Sequence, residues 1–312
     1  MTNDTIGVDI SKDHLDAHRM SDGASRRFDN DKTGHGAFTR WLEARPGARI
    51  VYEPTGPYHR AFERRLADEG HPLVKVNPRQ ARRFAEATGK LAKTDRLDAS
   101  MLARMGAVLD LEARPMRSPL LNDLKDLHMA REALVKNRTA AKNRAKNLTL
   151  AILKRHNAEQ LRQIERQIGA IEAEIMALIR ADPDLARRFD ILVSVPGVSA
   201  ITAFALIIDM PELGTLGQGE AASLAGLAPV ARQSGRWNGR AFIRGGRANV
   251  RQALYMPALV AMRFNPDLKA KYEHLKAAGK ASKLAITAIM RKLLLIANAL
   301  LRDGRKWTPS LP

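Results

Sequence analysis

Four carboxylates in the first third of the chain stand where an acid is either costly or deliberately paired. Asp9 lies between Val8 and Ile10 in an apolar, alternating segment, and Glu53 follows Ile50-Val51-Tyr52. An ionised group in either setting loses hydration free energy unless something satisfies it. Asp95 and Asp98 are three residues apart in a segment that reads as helix, so both project from one helical face. Brought together, four such groups repel one another unless cations neutralise them, and their hard oxygens suit Mg²⁺ or Mn²⁺. A two-metal site of that kind would serve the attacking and leaving oxygens of phosphodiester chemistry. The plainer alternative makes Asp95 a surface acid or helix cap and Asp98 its solvated neighbour.

A second group of residues carries positive charge. The 312 residues hold 52 Lys+Arg against 33 Asp+Glu, a net charge of +19 with a pI near 10.6. Residues 1–112 are nearly neutral, with 19 basic and 17 acidic side chains, whereas 113–312 carry 33 and 16. Lys125, Arg131, Lys136, Arg138, Lys142, Arg144, Lys146, Lys154 and Arg155 face only Asp126 and Glu132 across 125–155. Residues 231–251 carry Arg232, Arg236, Arg240, Arg244, Arg247 and Arg251 with no acid, and Ser234-Gly235 in their midst reads as a turn. Any one block could be a solvated face. Several blocks of one sign favour nucleic acid, because each cation that neutralises a phosphate releases condensed counterion.

The elements that must position these residues follow from periodicity. Residues 4–10 alternate as a strand, with further strands expected at His14–Met20 and Arg26–Asp29, then a helix over Thr33–Ala44. Ala48–Glu53 reads as a buried strand, Pro57–Gly70 as a helix, Leu73–Val76 as a strand, and Pro78 toward Thr88 as a helix. Three strands followed by alternating helix and strand is the order of an RNase H-like α/β fold, in which the ends of the strands bearing Asp9 and Glu53 are neighbours.

From Ser118-Pro119 the pattern becomes helical. Positions 120, 124, 127, 131, 134, 138, 141, 145, 148 and 152 step 4-3-4-3, interrupted by Arg131 and Arg138. After His156-Asn157 a second seam runs Leu161, Ile164, Ile168, Ile171, Ile175, Leu178. The pair makes an antiparallel hairpin or a dimerising coiled coil. Beyond Asp182-Pro183, residues 192–203 look like a helix-hairpin-helix turn in which Gly197 lets the next helix's first amides approach a phosphate. Residues 248–263 and 282–301 are expected to be helices. Three segments result: 1–112 as a carboxylate-bearing α/β domain, 113–182 as a helical connector, and 183–312 as a mainly helical C-terminal domain.

Composition narrows the function classes. At 45% hydrophobic the chain can bury a core, which argues against wholesale disorder. With no Cys there is no disulfide framework, thiolate metal site or cysteine nucleophile. Met1-Thr-Asn-Asp has no signal pattern, and the apolar stretch Leu284–Leu301 is interrupted by Arg291-Lys292, so the expectation is a cytoplasmic protein with no membrane partner.

Particular words then carry a resemblance: Gly7-Val-Asp-Ile-Ser-Lys12, Tyr52-Glu-Pro-Thr-Gly-Pro-Tyr58, Val76-Asn-Pro78 and Lys93-Thr-Asp-Arg-Leu-Asp-Ala99. It continues through Leu224-Ala-Gly-Leu-Ala-Pro229, Gln233-Ser-Gly235, Ile243-Arg-Gly-Gly-Arg247, Val250-Arg251, Leu254-Tyr-Met256 and Met290-Arg-Lys-Leu-Leu294. Together these resemble the DEDD transposases of the insertion sequence one-ten family, relatives of the Piv DNA invertases. The resemblance implies a RuvC-like first domain whose acids are Asp9, Glu53, Asp95 and Asp98 with Mg²⁺. It also implies a C-terminal domain in which Ser234 is the nucleophile that cuts DNA and holds it through a phosphoserine link, in a composite site between subunits of a homo-oligomer, a dimer or tetramer.

The same resemblance implies a structured guide RNA from the element's non-coding end, pairing with target and donor DNA. The basic residues Lys136, Arg138, Lys142, Arg144 and Lys146, with Arg232, Arg236, Arg240, Arg244, Arg247 and Arg251, are then the candidate nucleic-acid contacts. One departure stands out: many family members carry Ser/Thr-Lys-x-Gly where this chain has Arg244-Gly-Gly-Arg247. Two other readings remain at this point, a RuvC-like structure-selective nuclease using water and a nucleic-acid-binding scaffold.

Overall fold

The computed structural model describes residues 4–42, 47–89, 95–113, 118–235 and 237–309. The chain divides into two compact units, Met1–Arg117 and Ser118–Pro312.

The first unit opens with three strands, β1 (Thr5–Ile10), β2 (His14–Arg19) and β3 (Ser25–Asp29). Helix α1 (Lys32–Leu42), strand β4 (Arg49–Tyr52), helix α2 (His59–Asp68), strand β5 (Leu73–Lys75), and helices α3 (Pro78–Ala87) and α4 (Asp95–Val108) follow. The strands form one sheet in the order β3-β2-β1-β4-β5, antiparallel between β1, β2 and β3 and parallel from β1 to β4 to β5. This is the element order expected of an RNase H-like domain. Residues 43 and 44, the end of the expected first helix, lie outside the described residues.

Alternation along the strands sorts side chains to two faces. Ile6, Val8, Ile10, Leu15, Ala17, Phe28, Ile50 and Tyr52 pack with Phe38 and Leu42 of α1 and with Phe62 and Leu66 of α2. Val51, Val74 and Val76 face the other way, against Met101, Leu102 and Met105 of α4 and Ala81 of α3.

Glycines let α4 lie directly on β1. A Cβ on Gly7 would run into the Ala99 carbonyl oxygen and the Ala103 amide, and one on Gly106 would run into the side chains of Val51 and Thr5. Arg49, at the start of β4, ties down the far end of α4 through Asp110 Oδ1 at 3.0 Å and the Leu111 carbonyl at 2.5 Å.

The second unit begins with a long helical hairpin, α5 (Pro119–Ala145) and α6 (Ala151–Ala181). Ser118 caps α5 by accepting from the Leu121 amide, with Pro119 at the first helical position. The turn falls at 146–150, earlier than the His156-Asn157 expected from the seams, and Asn157 is buried within α6. The apolar spacing continues through Leu148 and Ile152 although Ala145 and Ile152 are exposed, so periodicity ran on past the end of the packed interface.

Arg131 explains one break in that periodicity. Its side chain is buried, with Nε on Glu172 Oε1 at 2.7 Å and Nη1 on Glu132 Oε1 at 2.9 Å.

Helices α7 (Pro183–Val193), α8 (Ala200–Asp209) and α9 (Gln218–Leu224) precede a two-stranded hairpin, β6 (Pro229–Ser234) and β7 (Trp237–Ile243). Helices α10 (Ala248–Phe264), α11 (Pro266–Ala277) and α12 (Ser282–Asp303) close the unit. Asp182 and Asn265 cap α7 and α11, each followed by proline, which is why the chain turns sharply there.

One core joins Leu124 of α5 and Ile175 and Ile179 of α6 to Leu192, Phe204, Leu206, Leu254, Ile289, Leu293 and Leu294. The base of the connector therefore packs as part of the C-terminal unit. Helix α12 is long and apolar enough to cross a membrane, but half of its apolar window is buried in this core.

The turn between α7 and α8 is present, and Gly197 has φ +99°. Its open side is filled, however: a Cβ there would meet the Pro257 carbonyl and Ala261 of α10. Ser199 caps α8 by accepting from the Thr202 amide. The glycine thus permits close packing of this turn against α10.

Candidate active site

The carboxylates gather by topology. Val8 of β1 pairs with Tyr52 of β4 in parallel register, so Asp9 and Glu53, one residue further along each chain, stand side by side at the carboxyl ends of two neighbouring inner strands. Val8 and Tyr52 point toward α1 and α2, which puts Asp9 on the α4 face with Gly7. Helix α4 runs antiparallel to β1: Gly106 lies over Thr5, Ala103 and Ala99 over Gly7, and the turn holding Asp98 therefore comes next to Asp9.

Asp95 begins this helix, and its side chain lies outside the described residues. Among the described residues no three acids or histidines are drawn close enough to cage a metal. The donor set is nevertheless all hard carboxylate oxygen at one end of one sheet and on the helix across it, which fits a divalent cation.

Two features of this site were missed from sequence. Asp16 is the direct cross-strand partner of Asp9, and Arg27 neutralises it with a two-point grip, Nε to Oδ1 at 3.0 Å and Nη2 to Oδ2 at 2.8 Å. Behind Glu53, buried Tyr52 hydrogen-bonds Glu63, whose carboxylate also receives Lys75 Nζ at 2.7 Å and lies 3.4 Å from His59 Nε2. Burial above all, then the Glu63 charge, pushes the Tyr52 phenol far up, so it stays a proton donor. Burial and the Lys75 charge lower the His59 pKa against the opposing pull of Glu63. The cluster fixes the strand end from which Glu53 emerges.

Ser234 is the last residue of β6, paired across the hairpin with Trp237, and Gly235 at φ +55° starts the turn. All six residues of β6 are exposed. With β6 exposed along its length, that strand has little to hold it, and here the register shifts between Val230 and Arg232 while the Arg232 guanidinium sits 5.0 Å over the Phe242 ring. Arg232 and Arg244 are exposed; Arg236 and the side chain of Arg240 lie outside the described residues.

Arg247 and Arg251 are engaged within the domain. Arg247 makes a two-point grip on Glu212, 2.7 Å at each contact, and donates to the Asp209 carbonyl at 2.8 Å. The Glu212 hydrogen bond raises the Arg247 pKa despite burial. Arg251 donates to the Gly245 carbonyl at 2.9 Å. Gly245 and Gly246 both have positive φ, and a Cβ on Gly246 would collide with the Gly226 backbone. The two arginines and two glycines thus brace the base of the hairpin.

On the connector, Lys136, Lys142, Arg144 and Lys146 are exposed. Arg138 and Lys142 approach Glu165 at 3.5 and 3.6 Å, and Arg144 donates to Gln160 at 3.3 Å. Such long, solvated contacts contribute about 1 kcal/mol or less, so a phosphate can displace them.

Two family models match the chain. A DEDD-type IS110 transposase model covers residues 6–156, and the model described as transposase, IS116/IS110/IS902 family, covers 189–273. The chain belongs to the IS110 family of transposases. The first match spans Asp9, Glu53, Asp95 and Asp98, and the second spans Ser234 and the whole β6–β7 hairpin.

Relatives agree with this membership. The pilin gene-inverting protein of Moraxella bovis is 29% identical over 317 aligned positions, covering 98% of each chain. The IS110 43.6 kDa protein of Streptomyces coelicolor is 31% identical over 172 positions, 53% of this transposase and 40% of its relative. The IS900 42 kDa protein of Mycobacterium paratuberculosis is 30% identical over 159 positions, 49% and 38% of the two chains. This transposase is a DNA recombinase, and a DEDD transposase family generally implies a divalent metal.

Proposed function

We propose that this transposase cuts and rejoins the DNA of an insertion sequence through a transient phosphodiester to Ser234, assisted by Mg²⁺ or Mn²⁺ at the carboxylates. The observation that carries the reading is the exposed serine at the tip of the exposed strand β6, two residues from Arg232, on a hairpin followed by a braced Arg244-Gly-Gly-Arg247 loop. In the cutting step the Ser234 hydroxyl gives up its proton and Oγ bonds to phosphorus. One phosphorus–deoxyribose oxygen bond breaks, and the departing oxygen takes a proton. One ester replaces another, so the bond energy is retained and the reverse step reseals DNA.

Arg232 and Arg244, with Arg236 and Arg240, orient the phosphate oxygens and offset charge on the phosphorane. Arg247 and Arg251 support the loop. Asp9, Glu53 and Asp98, with Asp95 from the same helix, would hold the cation, which supplies charge neutralisation at a reacting oxygen. Lys136, Arg138, Lys142, Arg144 and Lys146 grip the phosphates of DNA and of a structured guide RNA. Two or more copies assemble a site from one chain's serine and another's carboxylates, acting in the bacterial cytoplasm on the nucleoid.

The pilin gene-inverting relatives, matched over nearly the full chain, support recombination over simple hydrolysis. With element-end DNA, Ser234→Ala should abolish both cutting and the protein–DNA adduct seen on a denaturing gel while leaving binding within about twofold. Asp9→Asn should abolish cutting too. If Ser234→Ala still cuts and Asp9→Asn does not, water is the nucleophile and the serine reading fails. If chelation leaves cutting untouched, the metal reading fails; if the wild type binds but never cuts, the chain acts as a scaffold.

A further inference from the structure

The carboxylate domain is nearly neutral, yet one side of it gathers arginine. A cleft of about 380 Å³ is lined by Arg19, Arg26, Ala37, Arg40 and Trp41, where the ends of β2 and β3 meet the last turns of α1. Strand alternation puts Arg19 on the same face as Leu15 and Ala17, and Arg26 on the same face as Phe28. This is the α1 face of the sheet, opposite the face carrying Asp9.

Arg19 is built into the fold. Its side chain is only 7% exposed, Nη1 binds Asp22 at 2.9 Å, Nη2 donates to the Trp41 carbonyl at 2.8 Å, and the guanidinium stacks 4.1 Å over the Trp41 ring. Its Nε is buried with no hydrogen-bond partner among the described residues. A buried donor left unmatched is costly unless a ligand or water meets it.

Among the described residues, the charge at the rim also has no acidic partner. Arg27, Arg49, Arg65 and Arg82 each bind a carboxylate of their own. Arg26 and Arg40 have none within ion-pair distance among the described residues; Arg26 lies 5.1 Å over the Phe28 ring. Two exposed guanidiniums beside a buried third, with the half-buried indole of Trp41 as a wall, present planar donors to an anion with several oxygens. A carboxylate ligand would use one fork; phosphate along a chain uses several.

We propose that this cleft is a second phosphate-binding site, by which the carboxylate domain itself holds a nucleic-acid strand on the face of the sheet away from its acids. The inference rests on nucleic acid as the substrate and adds a contact outside the connector and the serine-bearing hairpin. It gives the nearly neutral domain a grip of its own, separate from the acids, which would repel phosphate.

The test is binding of the full chain to fluorescent duplex DNA, single-stranded DNA and structured RNA across a salt series, comparing the wild type with Arg26→Ala/Arg40→Ala. Arg82→Ala, whose guanidinium is already held by Glu86, is the control, and thermal melting checks that each variant folds. Loss of two phosphate contacts should lower the slope of log K against log salt by about 1.8 on duplex or about 1.4 on a single strand. The affected probe identifies the strand held in the cleft. Unchanged slope and affinity on all three probes, with the wild type binding normally, overturn this proposal and leave the proposed function standing. A wild type that binds none of the probes overturns both.

Discussion

Arg131 occupies a seam position that its chemistry does not suit until its partners are known. Buried between α5 and α6, it spans Glu132 and Glu172 and lies 5.6 Å over the Phe204 ring. Arg131→Ala should lower stability by about 2 kcal/mol in chemical denaturation, below the ~3–5 kcal/mol of a fully buried pair because both carboxylates keep some solvent. Arg131→Met, which keeps the packing, should lose less, and equal stability of all three proteins would show the ion pairs to be idle. His35 offers a pH test. It is buried, bonded to Asn30 Oδ1 at 2.8 Å, and its pKa is lowered chiefly by burial. The unfolded chain therefore takes up a proton near the ordinary 6.5 that the folded chain resists. Stability is full above that pH and falls as the solution is acidified through it; His59, also lowered, acts in the same direction. Melting temperatures from pH 8 to 5 should decline, and His35→Gln should flatten the decline. An unchanged slope in that variant would place the proton uptake elsewhere.

Among elements, α4 on β1 decides whether the acids can meet. Gly7 leaves no room for a side chain beneath the α4 backbone, so Gly7→Ala should push the helix outward, cost about 2 kcal/mol and depress metal-dependent cutting more than binding. Normal melting and cutting in that variant would mean that α4 can move without consequence. The strands and helices of this unit were legible because alternation and helical spacing point the same way; the structure adds that Asn77 caps α3 by accepting from the Arg79 amide. The side-by-side placement of Asp9 and Glu53 followed from strand order alone. The β6–β7 hairpin was not legible as strands, because a ribbon exposed on β6 has no core to impose alternation. Nor could spacing reveal that Arg247 is held by Glu212, 35 residues away. Ser234 reads as a turn residue by its type, and only the words around it, not its chemistry, singled it out.

At the scale of the whole molecule, charge and packing divide differently. The connector is continuous with the C-terminal core, so its lysines and the hairpin arginines belong to one unit. Replacing Lys136, Lys142 and Lys146 by Gln should weaken nucleic-acid binding and flatten its salt dependence by about 0.9 per lysine on duplex DNA, with cutting at saturation little changed. Arg232→Gln with Arg244→Gln should slow cutting even at saturation. If both sets act only through affinity, the hairpin is a tether and not part of the chemistry.

The connector also sets a distance. From Leu124, anchored in the core, to Ala145 at the exposed end, α5 rises about 30 Å at ~1.5 Å per residue. Duplex DNA advances about 34 Å in one turn. A duplex lying along the hairpin, as the proposed contacts require, would present the same strand to the core and, nearly one turn later, to the basic tip of Lys142, Arg144 and Lys146; the connector would then span one helical repeat. Shortening α5 and α6 together by two turns would bring the tip onto the opposite side of the duplex.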